Sequence, residues 1–177
     1  YATDIKGKGL FGSEAMIHGN GESFAVQIPL PGEHMVYNAL AAAAAGQLLG
    51  LTPEEIRDGI AAVESVSGRS HIVKLPDKVL IDDCYNANPV SMEAAIDLLL
   101  QADGRRVAVM GDMFELGEQE KEMHARVGKY AADKGVECII CAGKLARCIY
   151  EGAREAAGER KDGPAAEIFY FEDRESL

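Results

Sequence analysis

The sequence predicts an α/β protein whose second part folds around a doubly wound, mostly parallel sheet. From residue 69 onward, short apolar strands alternate with helices, which is the pattern of a parallel sheet covered on both faces. Residues 1–68 instead combine strands broken by glycines with two helices, and the polar stretch at residues 65–69 has the composition of a linker. We therefore expect two domains, residues 1–68 and residues 69–177. The second ends on a strand with no helix after it, so we expect that domain to be incomplete.

The predicted elements of the first domain are strands at residues 15–18 and 23–28 and helices at residues 33–49 and 53–63. The two strands flank a turn at Gly19-Asn20-Gly21-Glu22. Pro29-Leu30-Pro31-Gly32 ends the second strand, and Gly50 is a suitable C-cap for the first helix. Thr52 is a strong N-cap for the second helix, because Pro53 takes its first position and acidic residues fill its first turn.

The predicted elements of the second domain alternate in type along the chain. The strands are at residues 71–75, 78–82, 106–110, 137–141 and 167–171, and the helices are at residues 90–101, 118–134 and 145–157. In an open parallel sheet, ligands bind beside the carboxyl ends of the strands. The loops that follow residues 82 and 110 are therefore where functional side chains are expected.

The composition excludes two classes of partner. The net charge is −11, so a nucleic-acid backbone is not expected as the main ligand. No run of apolar residues approaches the roughly 18 that a membrane span requires, so no membrane partner is expected. The N-terminus lacks the apolar core of a signal peptide. Reduced thiols, expected for the four cysteines, fit a cytoplasmic location. Tyr1 stands where an initiator Met is expected, which indicates a chain that was cut or processed.

The cysteines do not predict a metal site. Cys138 and Cys141 have the C-x-x-C spacing, but they fall in an apolar run that reads as a buried strand. Residues i and i+3 of a strand point to opposite faces, so the two thiols would not meet at one ion. Both are predicted to be core residues with reduced thiols, and Cys84 is predicted to pack inward.

Polar side chains cluster where two predicted strands end. Asp82 and Asp83 close one strand, and Asp112 follows another. The loop after Asp83 adds further donors and acceptors, namely Tyr85, Asn86 and Asn88. Pro89 then begins a helix, and groups of this kind near a helix N-terminus suit ribose hydroxyls or a carboxylate ligand. The acidic residues also have an ordinary interpretation as helix caps or solvated loop residues.

Four segments, in matching order and spacing, resemble motifs of the Mur ligases that build peptidoglycan precursors, and in particular of the members that add D-alanyl-D-alanine. The segments are residues 30–39, Gly68-Arg69, residues 83–89, and the G-D-M-F-E-L-G run at residues 111–117 with His124 and Gly128 after it. The resemblance implies that residues 1–68 are the C-terminal part of the central ATP-binding domain. It also implies that residues 69–177 are part of the Rossmann-like C-terminal domain.

The resemblance implies nucleotide contacts for His34, Asn38, Arg69 and Asp83. His34 and Asn38 are four residues apart and share one helix face, which in the family lies against the adenine base. Met35 stands where many relatives have an asparagine, so a base contact at that position is apolar or absent. Arg69 is implied to reach phosphate or ribose, and Asp83 is implied to bind ribose.

The resemblance also implies a set of substrate-binding residues, namely Tyr85, Asn86, Asn88, Asp112, Glu115 and His124. Asp112 and Glu115 are candidates to orient the ammonium group of the incoming dipeptide. Glu115 is equally a candidate to cap the helix that begins near residue 118, and His124 is a candidate packing residue. No residue of the chain is assigned a catalytic role.

The implied activity is ATP-dependent and Mg²⁺-dependent joining of D-alanyl-D-alanine to UDP-N-acetylmuramoyl-tripeptide through an acyl phosphate, by a monomeric enzyme. The chain has no Gly-Lys-[Ser/Thr] phosphate loop, and in the family that loop and the metal ligands lie upstream, so the chain alone is expected to be inactive. The alternatives are another Mur-type ligase, a folylpolyglutamate synthase, or a nucleotide-binding α/β module without catalysis. A dinucleotide-dependent oxidoreductase is disfavoured, because no G-x-G-x-x-G follows the first strand of the second domain.

Overall fold

The computed structural model describes residues 1–159, 166–173 and 175–176. The chain forms two compact units, residues 1–83 and residues 84–177. The strands predicted at residues 71–75 and 78–82 therefore group with the first unit. Each unit has a hydrophobic core of its own.

The first unit opens with an antiparallel sheet of three strands in the order β1-β2-β3. These are β1 (Ala2–Gly7), β2 (Ser13–Gly19) and β3 (Glu22–Ile28). Asn20 and Gly21 join β2 to β3, and both have positive φ angles, 49° and 80°. Two left-handed residues give the turn the twist that a tight hairpin needs, so the predicted strand, turn and strand are confirmed.

Two helices follow the sheet, α1 (His34–Leu48) and α2 (Pro53–Ala61). Thr52 caps α2 as predicted: its hydroxyl accepts from the Glu55 N–H, and the Glu55 carboxylate accepts from the Thr52 N–H. The helices meet closely at Gly46, where a Cβ atom would lie 2.8 Å from Cγ1 of Ile56. The core between sheet and helices is formed by Ala15, Ile17, Val26, Ile28, Val36, Ala39, Ala43, Ile56 and Ile60.

The next two strands, β4 (His71–Lys74) and β5 (Val79–Asp82), form an antiparallel pair of their own. The sequence predicted that they contribute to the parallel sheet, and within the described residues that prediction is wrong. The physical reason is the length of the connection. Residues 75–78 are enough for a hairpin turn, whereas a parallel crossover needs a dozen or so residues.

The second unit has the predicted parallel α/β arrangement. Its elements are α3 (Pro89–Leu99), β6 (Val107–Met110), α4 (Glu120–Lys134), β7 (Cys138–Ala142), α5 (Ala146–Glu159) and β8 (Glu167–Phe171). The strands pair in parallel in the order β6-β7-β8. A mostly parallel sheet is therefore confirmed for this part of the chain.

The described helices cover one face of this parallel sheet. The strand residues buried against α4 and α5 are Ala108, Met110, Ile139 and Cys141. The alternate residues Val107, Val109 and Phe169 are exposed, Val109 by 61%. The three strands neighbour one another in chain order, and crossovers between parallel strands almost always have the same hand, which places successive helices on the same side of a sheet. This explains why the expected cover on both faces is found on one face.

The helices α4 and α5 are in contact through their backbones. A Cβ atom at Gly128 would lie 2.7 Å from the carbonyl carbon of Ile149, and one at Gly152 would lie 2.8 Å from the carbonyl carbon of Ala125. No real Cβ atom approaches a backbone atom so closely, so glycine is required at both positions. This contact gives a structural reason for the glycine at position 128 of the sequence motif.

Cys138 and Cys141 are buried, as predicted. Burial raises the pKa of the Cys141 thiol to about 12. Cys84, predicted to pack inward, is exposed. It lies two residues after the end of β5, where strand alternation no longer fixes which side a residue faces. No helix in the described part of the chain is long and apolar enough to cross a membrane.

Candidate functional site

Two aspartates at the end of β5 hold the turn formed by residues 67–70. Asp82 Oδ2 accepts a hydrogen bond from the Gly68 N–H at 2.9 Å and another from the Ser67 hydroxyl at 3.2 Å. Asp83 Oδ1 accepts from the Ser70 N–H at 2.7 Å and, more weakly, from the Ser70 hydroxyl at 3.4 Å. We call this arrangement of Asp82, Asp83 and residues 67–70 the carboxylate clamp.

The carboxylate clamp holds the residues immediately before and after Arg69. The residues on either side of Arg69 have left-handed backbones, with φ of 78° at Gly68 and 46° at Ser70. Arg69 itself is exposed. The structure thus brings Arg69 and Asp83, both predicted as nucleotide contacts, into one small turn. Among the described residues, both hydrogen bonds to Asp83 use Oδ1, which leaves Oδ2 as an acceptor for a ligand.

The loop after the clamp leads directly into α3. Asn88 is the N-cap of that helix: its Oδ1 accepts from the Ser91 N–H at 2.9 Å, and its own N–H donates to the Ser91 hydroxyl at 3.0 Å. The side chain of Asn88 is therefore engaged in holding the helix. Tyr85, 69% exposed, and Asn86 present their side chains to solvent.

Asp112, in the loop after β6, caps a helix that begins 34 residues later. Its Oδ1 accepts a hydrogen bond at 2.7 Å from the N–H of Ala146, the first residue of α5. A carboxylate is favoured there because the helix N-terminus carries unpaired N–H groups and a partial positive charge. In the structure, Asp112 therefore acts as a cap of α5.

His124 is fully buried, and both of its ring nitrogens are hydrogen-bonded. Nε2 accepts from the Met113 N–H at 2.8 Å, and Nδ1 lies 2.6 Å from the carbonyl oxygen of Glu120. These partners assign the neutral tautomer with the proton on Nδ1, since Nε2 must be unprotonated to accept. His124 packs inside the fold and ties the loop after β6 to α4.

Phe114 and Glu115, which follow Met113 in the loop after β6, are both exposed. Glu115 has a left-handed backbone with φ of 62°, which turns the loop at this residue. Its carboxylate makes no hydrogen bond or ion pair with any residue that the structure describes. The expected alternative, a helix cap, is not seen, because Gln119 is the N-cap of α4 and has no side-chain cap bond.

On α1, His34 and Asn38 are both exposed, as their shared helix face predicts. The amide Nδ2 of Asn38 lies 3.3 Å from the thioether sulfur of Met35. Met35 thus accepts a weak hydrogen bond from the residue that the sequence resemblance assigns to the base. Asn38 keeps its carbonyl oxygen for another donor.

Residues 68–177 match the family model described as "Mur ligase, glutamate ligase domain". The chain belongs to the Mur ligase family. The match includes the carboxylate clamp except Ser67, the loop that leads into α3 and the loop after β6.

Curated Mur ligases similar to this chain carry the name UDP-N-acetylmuramoyl-tripeptide–D-alanyl-D-alanine ligase. The protein from Escherichia coli (strain K12) is 42% identical over 125 residues, which are 70% of this chain and 28% of that protein. The protein from Bacillus subtilis (strain 168) is 38% identical over 129 residues, which are 71% of this chain and 28% of that protein. The matches thus span less than a third of these relatives.

Solved Mur ligase structures share the fold. MurF from Acinetobacter baumannii superposes with a TM-score of 0.80 at 32% identity, covering 97% of this chain and 41% of that one. MurF from Thermotoga maritima in complex with ADP superposes with a TM-score of 0.71 over 99% of this chain and 43% of that one. At 21% identity, this second likeness concerns the fold alone.

Sequence reasoning assigned no role to two residues of the carboxylate clamp, Asp82 and Ser70. The available signal was two adjacent acids at a strand end and a Gly-Arg-Ser turn that must pair its N–H groups with something. Within the described parts of the chain, no group of three or more His, Cys, Asp or Glu side chains is placed to hold a metal ion.

Proposed function

We propose that this chain is part of an ATP-dependent amide ligase that adds D-alanyl-D-alanine to UDP-N-acetylmuramoyl-tripeptide in peptidoglycan precursor synthesis. The names of its curated relatives support this proposal. In the structure, the carboxylate clamp carries it, because it sets a cation, Arg69, beside a carboxylate, Asp83, that has one oxygen to offer. Phosphate requires a cation, and ribose hydroxyls require an acceptor. We also propose that residues 1–68 belong to the central ATP-binding domain and residues 69–177 to the C-terminal domain.

On the nucleotide side, Arg69 binds a phosphate oxygen and Asp83 Oδ2 accepts a ribose hydroxyl. His34 and Asn38 contact the adenine base from the exposed face of α1. Asn38 offers its side-chain carbonyl oxygen to the base, because its side-chain NH2 group already donates to the sulfur of Met35.

On the acceptor side, we divide the candidate residues by what their side chains already do. Tyr85, Asn86 and Glu115 are exposed and contact the incoming dipeptide, with Glu115 opposite its ammonium group. The other three candidates, Asn88, Asp112 and His124, hold the loops that carry them.

The proposed reaction has two steps. A carboxylate oxygen of the tripeptide attacks the γ-phosphorus of ATP, giving an acyl phosphate and ADP. The amine of D-alanyl-D-alanine then attacks the acyl carbon, and inorganic phosphate leaves with the electrons of the C–O bond as the amine loses a proton. Binding by this chain brings the amine and the acyl carbon together, which is a large part of such catalysis.

Mg²⁺ would neutralise the phosphates in the first step. The described residues contain no group of ligands that fits the ion, so no residue of this chain is assigned to it. The chain also contains no Gly-Lys-[Ser/Thr] sequence. We propose that these 177 residues do not hydrolyse ATP by themselves, and that the intact enzyme acts as a monomer in the cytoplasm, where ATP is available.

The test uses the full-length protein that carries this chain. Purified protein is incubated with ATP, Mg²⁺, UDP-N-acetylmuramoyl-tripeptide and D-alanyl-D-alanine, and the pentapeptide product is followed by mass spectrometry together with phosphate release. We expect one phosphate per product and none when either substrate is omitted. Product from lysine, diaminopimelate or glutamate as acceptor would instead favour another Mur-type ligase or a folylpolyglutamate synthase.

A second candidate is a nucleotide-binding α/β module without catalysis, which the missing phosphate loop favours. It predicts ATP binding with no phosphate release under any combination of substrates. That outcome in the assay above would overturn the ligase proposal.

A further inference from the structure

Asp82 is the member of the carboxylate clamp that has no role in the proposed function. It is the last residue of β5 and is held opposite His71 by the β4–β5 pairing. Its Oδ2 atom receives both the Gly68 N–H and the Ser67 hydroxyl. A charged acceptor makes such bonds stronger than a neutral one does. The carboxylate therefore fixes the turn to a strand end that is itself fixed.

The two carboxylates hold the backbone on both sides of Arg69. Asp82 receives the N–H of the residue before it, and Asp83 receives the N–H of the residue after it. Ser70 is left-handed, a conformation that residues other than glycine adopt rarely and only where surrounding contacts enforce it. The clamp supplies those contacts. Freed of them, the turn would relax and Arg69 would leave its position.

This turn contributes little to the hydrophobic core of the unit. Ser67 and Arg69 are exposed, and the core residues of the unit lie in other elements. Loss of the Asp82 bonds should therefore change the conformation of the turn more than the stability of the fold. The principal side chain that such a change would displace is the guanidinium of Arg69.

We propose that Asp82 is a positioning residue for the nucleotide: it acts through Gly68 to set Arg69 where it meets a phosphate oxygen. This inference rests on the proposed role of Arg69 in ATP binding. Asp83 differs from Asp82 in having both a clamp bond and a free oxygen for ribose. In this proposal Asp82 acts on the nucleotide through the turn, whose Gly68 N–H it holds.

The experiment is a double-mutant cycle on the full-length protein, with ATP as the ligand in calorimetric titration and as the varied substrate in the assay. The variants are Asp82→Ala, Arg69→Ala, the double variant, and Asp82→Asn. The control is Asp77→Ala, which removes an exposed carboxylate from the turn of the same hairpin, where it pairs with Lys78.

We expect Asp82→Ala to weaken ATP binding by about tenfold, a typical effect of losing charge-assisted bonds that position a group. In the Arg69→Ala background, the same change should have an effect of less than about twofold, because its target is already absent. Asp82→Asn should recover part of the loss, since its amide oxygen still accepts from Gly68. Asp77→Ala should leave ATP affinity within about twofold of the wild-type value.

Additive effects of Asp82→Ala and Arg69→Ala would overturn the inference. A lower melting temperature in Asp82→Ala with unchanged ATP affinity would also overturn it, since that is the mark of a purely structural residue. If the wild-type protein binds ATP but forms no pentapeptide, the ligase proposal fails while the cycle on ATP affinity still decides the role of Asp82. If the wild-type protein does not bind ATP, both fail.

Discussion

The carboxylate of Asp112 occupies the space that a side chain at Gly143 would need. A Cβ atom built on Gly143 would lie 2.7 Å from Cγ and 2.9 Å from Oδ2 of Asp112. Gly143 also has a φ of 131°, a conformation that side chains disfavour. The loop after β6 and the loop before α5 therefore fit together only because one contributes a carboxylate and the other a glycine.

This fit predicts that Gly143→Ala destabilises the second unit by about 2–4 kcal/mol, through backbone strain and displacement of Asp112 from α5. Gly104→Ala is the matched control, because Gly104 also has a positive φ, 87°, but a Cβ there meets nothing within 4 Å. Urea titration of both variants measures the difference. Equal losses in the two variants would show that the Asp112 contact contributes nothing.

The backbone contact between α4 and α5 predicts that Gly152→Ala lowers the free energy of unfolding by about 2–3 kcal/mol, the cost of overpacking a tight site. Gly158→Ala lies on the same helix in open space, so it should be neutral or stabilise by up to about 1 kcal/mol. Both variants are compared by urea titration. A Gly152→Ala variant as stable as the wild type would mean that the helices can separate at no cost.

His124→Ala should destabilise the second unit by about 2–4 kcal/mol, because it leaves the buried Met113 N–H without an acceptor and opens a cavity. Lys121→Ala, on the exposed side of the same helix, should change stability by less than about 0.5 kcal/mol. Hydrogen exchange at the Met113 amide gives a direct readout. Unchanged protection of that amide in His124→Ala would contradict the assignment.

Asp97 of α3 accepts hydrogen bonds from Tyr130 and Lys134 of α4, and these bonds predict a small pH dependence of the free energy of unfolding. Desolvation tends to raise the pKa of Asp97, but hydrogen bonds from Lys134 and Tyr130 outweigh it, so the pKa lies below its ordinary value. A carboxyl group with a lowered pKa stabilises the fold above its unfolded pKa, and the stabilisation disappears as the pH falls through the folded pKa.

Asp97→Asn should therefore lower the free energy of unfolding by up to about 0.5 kcal/mol at pH 7, since exposed pairs are screened by solvent, and the difference from wild type should shrink as the pH falls through the lowered pKa of Asp97. Urea titrations at pH 7, 5 and 3 measure this. A difference that stays constant over this range would show that the charge of Asp97 is not involved.

The local elements of the fold were predictable because their signals are local. The capping box of Thr52, the glycine turn at Asn20-Gly21 and the apolar runs of β7 and β8 need only a few consecutive residues. The pairing of β4 with β5 was predictable in principle, because the four-residue connection between them allows only a hairpin. The alternation of strands and helices along the rest of the second part wrongly suggested that these two strands join the parallel sheet.

The site was predictable as a set of residues but not as a set of contacts. Asp112 caps a helix that lies 34 residues away, and the partners of His124 include a residue 11 positions before it. Such pairs leave no periodic trace in the sequence, since they depend on how the elements pack. Asp82 was noted at a strand end but assigned no role for the same reason, because its partners lie 14 and 15 residues upstream.

The two glycines of the α4–α5 contact have a consequence for how relatives of this protein can diverge. Because main-chain atoms set the distance between the helices, substitutions at neighbouring side chains cannot adjust it. A homologue with alanine or a larger residue at position 128 or 152 must hold these helices further apart, and its sheet must shift to match. The distance between α4 and α5 should therefore be the same in all relatives that keep both glycines, Gly128 and Gly152.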